Sequence, residues 1–206
     1  MNLSKKMLQR SALLLMDFQV DVCAEGGRMV TQTPEVLMPF KETIDRAAKL
    51  LSTARASAMA PHIIHINHLF RSGYPELAGG NLSPMDGCVM GVNAFVEGER
   101  GADVVPELAP LESEYLIKKK TLSPFASTEL GMWLRKRDIN TVILTGVVTH
   151  YVVLATAFYA YDMGLSVVVV KDCCMSGTPE SHQAALDVMG PLATIVESSD
   201  LMSLMN

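Results

Sequence analysis

Runs of positive charge are nearly absent: Lys118-Lys119-Lys120 is the longest, and the 206-residue chain carries 17 Lys and Arg against 22 Asp and Glu, a net charge of −5. Electrostatic capture of nucleic acid or anionic lipid has little to work with, so neither partner is expected. Cysteine is scarce as well. The four present (Cys23, Cys88, Cys173 and Cys174) lack zinc-type spacing, and the adjacent pair would make a strained bridge. A reduced, cytoplasmic setting is therefore expected. A cleavable leader is not expected, because Lys5, Lys6 and Arg10 are followed by an apolar stretch, Ala12 to Met16, that Asp17 cuts short. Charge is missing altogether from residues 139–161, a stretch long enough to suggest a membrane span. Gly146 divides it, however, Thr141, Thr145, Thr149 and His150 lie within it, and β-branched residues give way to alanine, which reads as a buried strand followed by a buried helix. Repeats, linkers and low-complexity segments are lacking, and with 49% apolar residues the chain reads as one domain over residues 1–206.

What is present is an alternation. Short, nearly continuous apolar runs at Ala12 to Met16, His62 to Ile66, Tyr115 to Ile117, Thr141 to Leu144 and Val167 to Val170 suit parallel strands covered on both faces, with Thr194 to Val196 as a sixth. Between them, Val36, Phe40, Ile44, Ala47, Leu51, Ala54 and Ala58 recur at helical spacing, as do Leu130, Trp133 and Leu134. Thr178-Pro179-Glu180 is a helix start, with threonine as N-cap and proline at the first helical position, burying His182, Ala185, Leu186 and Met189. The pattern predicts an α/β fold: a parallel sheet of about six strands with helices on both faces and right-handed crossovers. Residues 70–110 show little periodicity and are expected to form an elaborate loop that covers the site or makes a subunit contact. A homo-oligomer, dimer or tetramer, is expected.

In open parallel sheets ligands bind outside the carboxyl ends of the strands. The residues at or just past those ends are Asp17, His68, Lys119, the segment Val147-Val148-Thr149-His150, and Asp172. Each alone has a bland explanation: Asp17 a helix cap, Lys119 one of a solvated triplet, His68 and His150 satisfied polar residues near the core. Their joint position at one edge is what points to a small-molecule site. A metal centre is not expected, since alternation along the second strand places His65 on the face opposite His62 and His68.

Four stretches carry a resemblance. Leu13-Leu14-Leu15-Met16-Asp17-Phe18-Gln19-Val20-Asp21 is similar to an apolar strand ending in Asp-x-Gln-x-Asp. Lys119 to Phe125, with Thr128 and Leu130, is similar to Lys-x-x-x-Ser-Ala-Phe-x-x-Thr-x-Leu, with Pro124 in place of the alanine. Gly146 to Ala157 is similar to Gly-Val-x-Thr-x-x-Cys-Val-x-x-Thr-Ala, and Gly98 to Ala102 with Pro106-Glu107-Leu108 has the same look. In this order, over roughly residues 11 to 200, the motifs resemble those of the isochorismatase-like hydrolases, or cysteine hydrolase superfamily, which includes nicotinamidases and N-carbamoylsarcosine amidohydrolase.

The resemblance implies that Asp17 and Lys119 are the catalytic aspartate and lysine, that no cofactor is needed, and that the Val147–Val148 peptide is cis. It places Val152 at the nucleophilic cysteine, with Val148 and Val152 at the backbone oxyanion hole. Gln19, His68, Phe125, His150 and Tyr151 are expected to contact substrate. Valine cannot attack a carbonyl, and none of the four cysteines obviously replaces the missing thiol. The implied activity is a small-molecule hydrolase that does without it. True isochorismatases also lack the cysteine, and their Gly-Val-Tyr-Ala-His is partly echoed by Gly146-Val147-Val148-Thr149-His150. Protonating an enol ether needs only a carboxyl group whose pKa is raised by burial. Two alternatives stand beside this: an amidase using water activated by Asp17, and a noncatalytic, ligand-sensing relative.

Overall fold

The computed structural model describes residues 4–29 and 34–206, with side chains described outside 34–39. Its six strands are β1 (Ser11–Met16), β2 (His62–His68), β3 (Tyr115–Lys119), β4 (Thr141–Val147), β5 (Ser166–Met175) and β6 (Thr194–Val196). They form one sheet in the order β3-β2-β1-β4-β5-β6, with every pairing parallel. The helices are α1 (Lys5–Leu8), α2 (Val20–Cys23), α3 (Pro34–Ala56), α4 (Pro84–Gly91), α5 (Pro124–Ser127), α6 (Leu130–Lys136), α7 (Leu154–Asp162), α8 (Pro179–Met189) and α9 (Ser198–Met205). The expected parallel α/β architecture is the one found.

Alternation along the strands sorts the core into two layers. Leu13 and Leu15 of β1 point to a cluster with Phe40, Ile44, Ala47, Leu50 and Leu51 of α3 and Leu201 of α9. Ala12, Leu14 and Met16 point to the other, with Leu130 and Leu134 of α6, Ala157 and Ala160 of α7, and Ala185, Leu186 and Met189 of α8. Val36 of the expected α3 stripe lies outside the described side chains. The same alternation separates the adjacent cysteines: Cys173 lies in the first cluster and Cys174 in the second, both as free thiols. Helix α8 starts as expected, Thr178 accepting from Ser181 N–H at 3.2 Å with Pro179 at the first position. His182 is only half-buried.

Two expectations need correction. The stretch after β2 is more than a loop: Ser83 and Asp86 form a reciprocal capping box that starts α4, and Phe70, Tyr74, Val89, Ala94, Phe95 and Val96 build a third small core. Asp172 is not at a strand end, because β5 continues to Met175. Its carboxylate instead accepts from Ser198 N–H and Oγ at 2.7 and 2.6 Å, tying β5 to the start of α9.

The chain leaves β1 toward β2 and β3 and then returns to the other side at β4, so the carboxyl ends of β1 and β4 flank the switch point where open sheets form a crevice. Gly146 makes the two strands meet there. It pairs with Met16, adopts φ +152°, and a Cβ on it would lie 2.6 Å from the Met16 carbonyl oxygen. The atoms it would meet are the Met16 carbonyl and Cβ, which cannot swing aside as a long side chain could. Gly146→Ala should lower stability by about 1–3 kcal/mol, as overpacking does in a filled interior, read as a lower urea midpoint. An unchanged midpoint would show that β1 can slide.

Candidate active site

Asp17 ends β1 in a left-handed conformation, φ +55°, a region that aspartate enters more readily than most residues. Its N–H donates to the Ile66 carbonyl at 2.8 Å and its carbonyl accepts from Gln19 N–H at 2.7 Å, which fixes where the carboxyl group points. Lys119 is the last residue of β3, two strands away, and its side chain spans the end of β2. The ammonium Nζ lies 2.8 Å from Asp17 Oδ2, an ion-pair distance without hydrogen-bond angles. Lys119 has 0% of its surface exposed and Asp17 6%. Burial pushes the Asp17 carboxyl up, against the pull of the Lys119 charge. Burial pushes the Lys119 ammonium down, against the pull of Asp17. The pair therefore holds one proton between two reluctant ions, the environment expected of a group that gives and takes protons.

His68 completes the edge from β2. Its ring lies between Phe70 and Phe95, at centroid distances of 4.8 and 5.3 Å. Desolvation first and the Lys119 charge second hold the imidazole well below its usual pKa, so it is neutral at pH 7. Asp17 Oδ1, His68 Nε2 and Ser123 Oγ are buried without a hydrogen-bond partner among the described residues, and Lys119 Nζ has only its ion pair with Asp17 Oδ2. Such atoms are rare in a folded interior, where buried polar groups are nearly always paired. Asp17, His68 and Lys119 lie at the ends of β1, β2 and β3, and Ser123 lies four residues past β3, which makes this edge the candidate site.

The other expected contacts divide. Gln19 is fully buried and committed: Oε1 accepts from His68 N–H at 2.8 Å, and Nε2 donates to the carbonyls of His68 and Ala102, both at 2.9 Å. It ties β2 and the covering segment to β1 rather than offering a free group to substrate. Asp21, the last residue of the Asp-x-Gln-x-Asp pattern, likewise accepts from Phe95 N–H at 2.7 Å and packs so closely on Gly101 that a Cβ there would be 2.1 Å from Oδ1. Phe125 packs into the α6–α8 core and stacks on Tyr159 at 5.6 Å. Ser123 was not among the expected contacts, although it occupies the serine of the Lys-x-x-x-Ser pattern.

The turn after β4 carries the rest. The Val147–Val148 peptide is cis, and residues Thr149–Val153 form one π-helical turn that leads into α7. Val152 is 1% exposed and joins the α6–α8 core, while Val148 packs toward α3. Thr149 Oγ1 meets His182 Nδ1 at 2.8 Å, and His150 Nδ1 meets Ser176 Oγ at 2.8 Å. Tyr151 is exposed beside His150. Both histidines are held below their usual pKa by burial. Burial raises the thiols of Cys23, Cys173 and Cys174, the last to about 12, while Cys88 is exposed on α4.

A model of the isochorismatase domain matches residues 11–200. The chain belongs to the isochorismatase family. Its sequence is similar to maleamate amidohydrolase of Pseudomonas putida, 27% identical with 94% of this chain and 86% of that protein covered. It is also similar to ureidoacrylate amidohydrolase RutB of Cronobacter sakazakii, 28% identical with coverage of 86% and 80%. Among solved structures, an isochorismatase family protein from Desulfovibrio vulgaris superposes with a TM-score of 0.79 at 26% identity, over 95% of this chain and 98% of that one. The fold is thus that of the isochorismatase-like hydrolases.

All five histidines of this isochorismatase-family chain are held below their usual pKa, in each case chiefly by burial. A histidine lowered in the folded state binds its proton more readily unfolded, so stability is full above the unfolded value near 6.5 and is lost as the pH falls through it. The raised Asp17 carboxyl works the other way but offsets at most one proton. Unfolding followed from pH 7.5 to 5 should show falling stability, with slopes up to about 1.4 kcal/mol per pH unit for each fully participating histidine. His65 and His68, the most buried, should dominate, and His68→Gln should flatten the profile. A level profile would contradict the assignment of neutral histidines.

Proposed function

We propose that the protein is a small-molecule hydrolase in which the Asp17 carboxyl moves the proton, Lys119 orients the substrate's anionic or developing anionic oxygen, and water attacks directly without a covalent enzyme intermediate. The observation that carries this is the enclosed Asp17–Lys119 pair, with Oδ1 unpartnered and the carboxyl raised by burial. On an enol ether, Asp17 gives its proton to the vinylic carbon, water adds to the oxocarbenium ion, and the resulting hemiketal collapses to a carbonyl compound and an alcohol. Asp17 regains its proton from the attacking water. None of these steps needs a thiol, in keeping with valine at the position matched to the nucleophile.

The relatives named as amidohydrolases favour a second reading. Here ionised Asp17 takes a proton from water as the oxygen adds to the amide carbonyl, then delivers it to the departing amine, leaving a carboxylic acid. Assays of isochorismate, maleamate and ureidoacrylate would separate the two chemistries. For whichever substrate turns over, Asp17→Asn should lower kcat by about 10²–10⁴-fold, and iodoacetamide treatment should leave activity intact. Loss of activity traced to an alkylated cysteine would overturn direct water attack.

A third measurement addresses the amide reading alone. Val152→Cys places a thiol in the π-helical turn that leads from β4 into α7, where the positive end of the helix favours the thiolate. The new thiol should alkylate at pH 7 faster than a free cysteine, whose pKa is about 8.5, and should bring amidase activity with it. Modification no faster than in a model peptide would place position 152 out of nucleophilic use and favour a binding protein without turnover.

A further inference from the structure

We propose that Ser123 is a substrate-contacting member of the site, its hydroxyl donating a hydrogen bond to the acceptor oxygen of the bound molecule's reacting group beside Lys119. The inference rests on reading the Asp17–Lys119 edge as the binding site. Ser123 occupies the N-cap of α5, where a serine ordinarily accepts from the first turn of the helix, yet its side chain makes no cap. Ser123 is also buried, 6% exposed, and its hydroxyl has no partner among the described residues. Both ordinary reasons for a serine here, capping and solvation, are missing.

The surrounding loop is built so that this hydroxyl alone is left over. Thr121 Oγ1 donates to the Ser123 carbonyl at 2.7 Å, Ala126 N–H donates to the same carbonyl at 3.2 Å, and Lys120 N–H donates to Ser127 Oγ at 3.1 Å. Thr128 Oγ1 donates to the Pro124 carbonyl at 2.6 Å. The Ser123 carbonyl is therefore held by two donors, which fixes the residue four positions past Lys119, where the chain leaves the carboxyl end of β3.

The donor and acceptor inventory tells what the four polar atoms of the site take. Lys119 Nζ and Ser123 Oγ can donate, and Asp17 Oδ1 accepts when ionised. His68 is held neutral by burial and the Lys119 charge, so its Nε2 donates or accepts according to tautomer. Donors at Lys119 and Ser123, an acceptor at Asp17 Oδ1 and an imidazole able to play either part suit a small planar group that carries both a carbonyl oxygen and an N–H. Formamide is the smallest probe with both.

A hydroxyl kept for a ligand costs the empty fold, whereas one kept for structure supports it. Ser123→Ala should therefore leave the melting temperature of the protein without ligand unchanged or raise it by roughly 2–4 °C. The same variant should weaken formamide binding about 5-fold, the loss of one hydrogen bond worth about 1 kcal/mol, read from the titration of the His68 imidazole resonances. A melting temperature lowered by several degrees would make Ser123 a structural residue and overturn the proposal. Equal formamide affinity in the two proteins, or no shift of the His68 resonances on formamide addition, would overturn it as well. Turnover enters neither measurement, so a failure here is distinct from failure of the hydrolase reading.

Discussion

Lys119 and Asp17 meet 2.8 Å apart with almost no contact with water, and much of the carboxyl edge follows from having to keep them there. Taking two ions out of water costs several kcal/mol each in a real protein interior, and their attraction offsets this only when the geometry is good. An apolar pair of similar volume would serve stability at least as well. The pair is therefore a constraint that the rest of the edge accommodates, and its persistence makes sense through what it does to a bound molecule.

The accommodation is visible in the groups around it. Gly146 lets β4 run against Met16, so that the turn carrying Val148 and Val152 lies next to Asp17 along the sheet edge. Gln19 uses its whole amide to lock the end of β2 and the segment at Ala102 onto β1, and Asp21 holds Phe95 in place. Phe95 in turn stacks on His68. These bonds and contacts close the edge around the pair, which is almost fully buried. The raised carboxyl and lowered ammonium are the electrostatic result of that exclusion.

Much of this was legible in sequence because it depends on strand order alone. Short apolar runs mark buried parallel strands, and the residue that ends each run lands on the carboxyl edge; Asp17, His68 and Lys119 were found this way, though more than a hundred residues separate the first from the last. Roles that depend on what a side chain faces were not legible. Gln19 and Asp21 read as polar residues beside a catalytic aspartate, and only the fold shows that backbone amides and carbonyls have claimed them. Asp172 followed an apolar run that looked finished at Val170, but β5 breaks register with β4 and then resumes to Met175. Ser123 carried a signal, its place in the Lys-x-x-x-Ser pattern. What distinguishes it, a missing cap at a capping position, appears only in three dimensions.

The location of the proton links these observations. Asp17 and Lys119 are pushed toward neutrality from opposite sides, so the ion pair and the neutral pair lie closer in free energy here than they would in water. Their titration belongs to the pair and not to either residue. His68, neutral and beside Lys119, adds no positive charge that would draw Asp17 back to the carboxylate. A thiolate at position 152 would have tilted the balance, since a third charge at the edge must be matched by protonating Asp17 or strengthening the ammonium. With valine there, the pair alone sets the proton balance. A buried carboxyl that is to hold a proton ready is served by this arrangement, with one partner to share the charge and no third ion to claim the proton first.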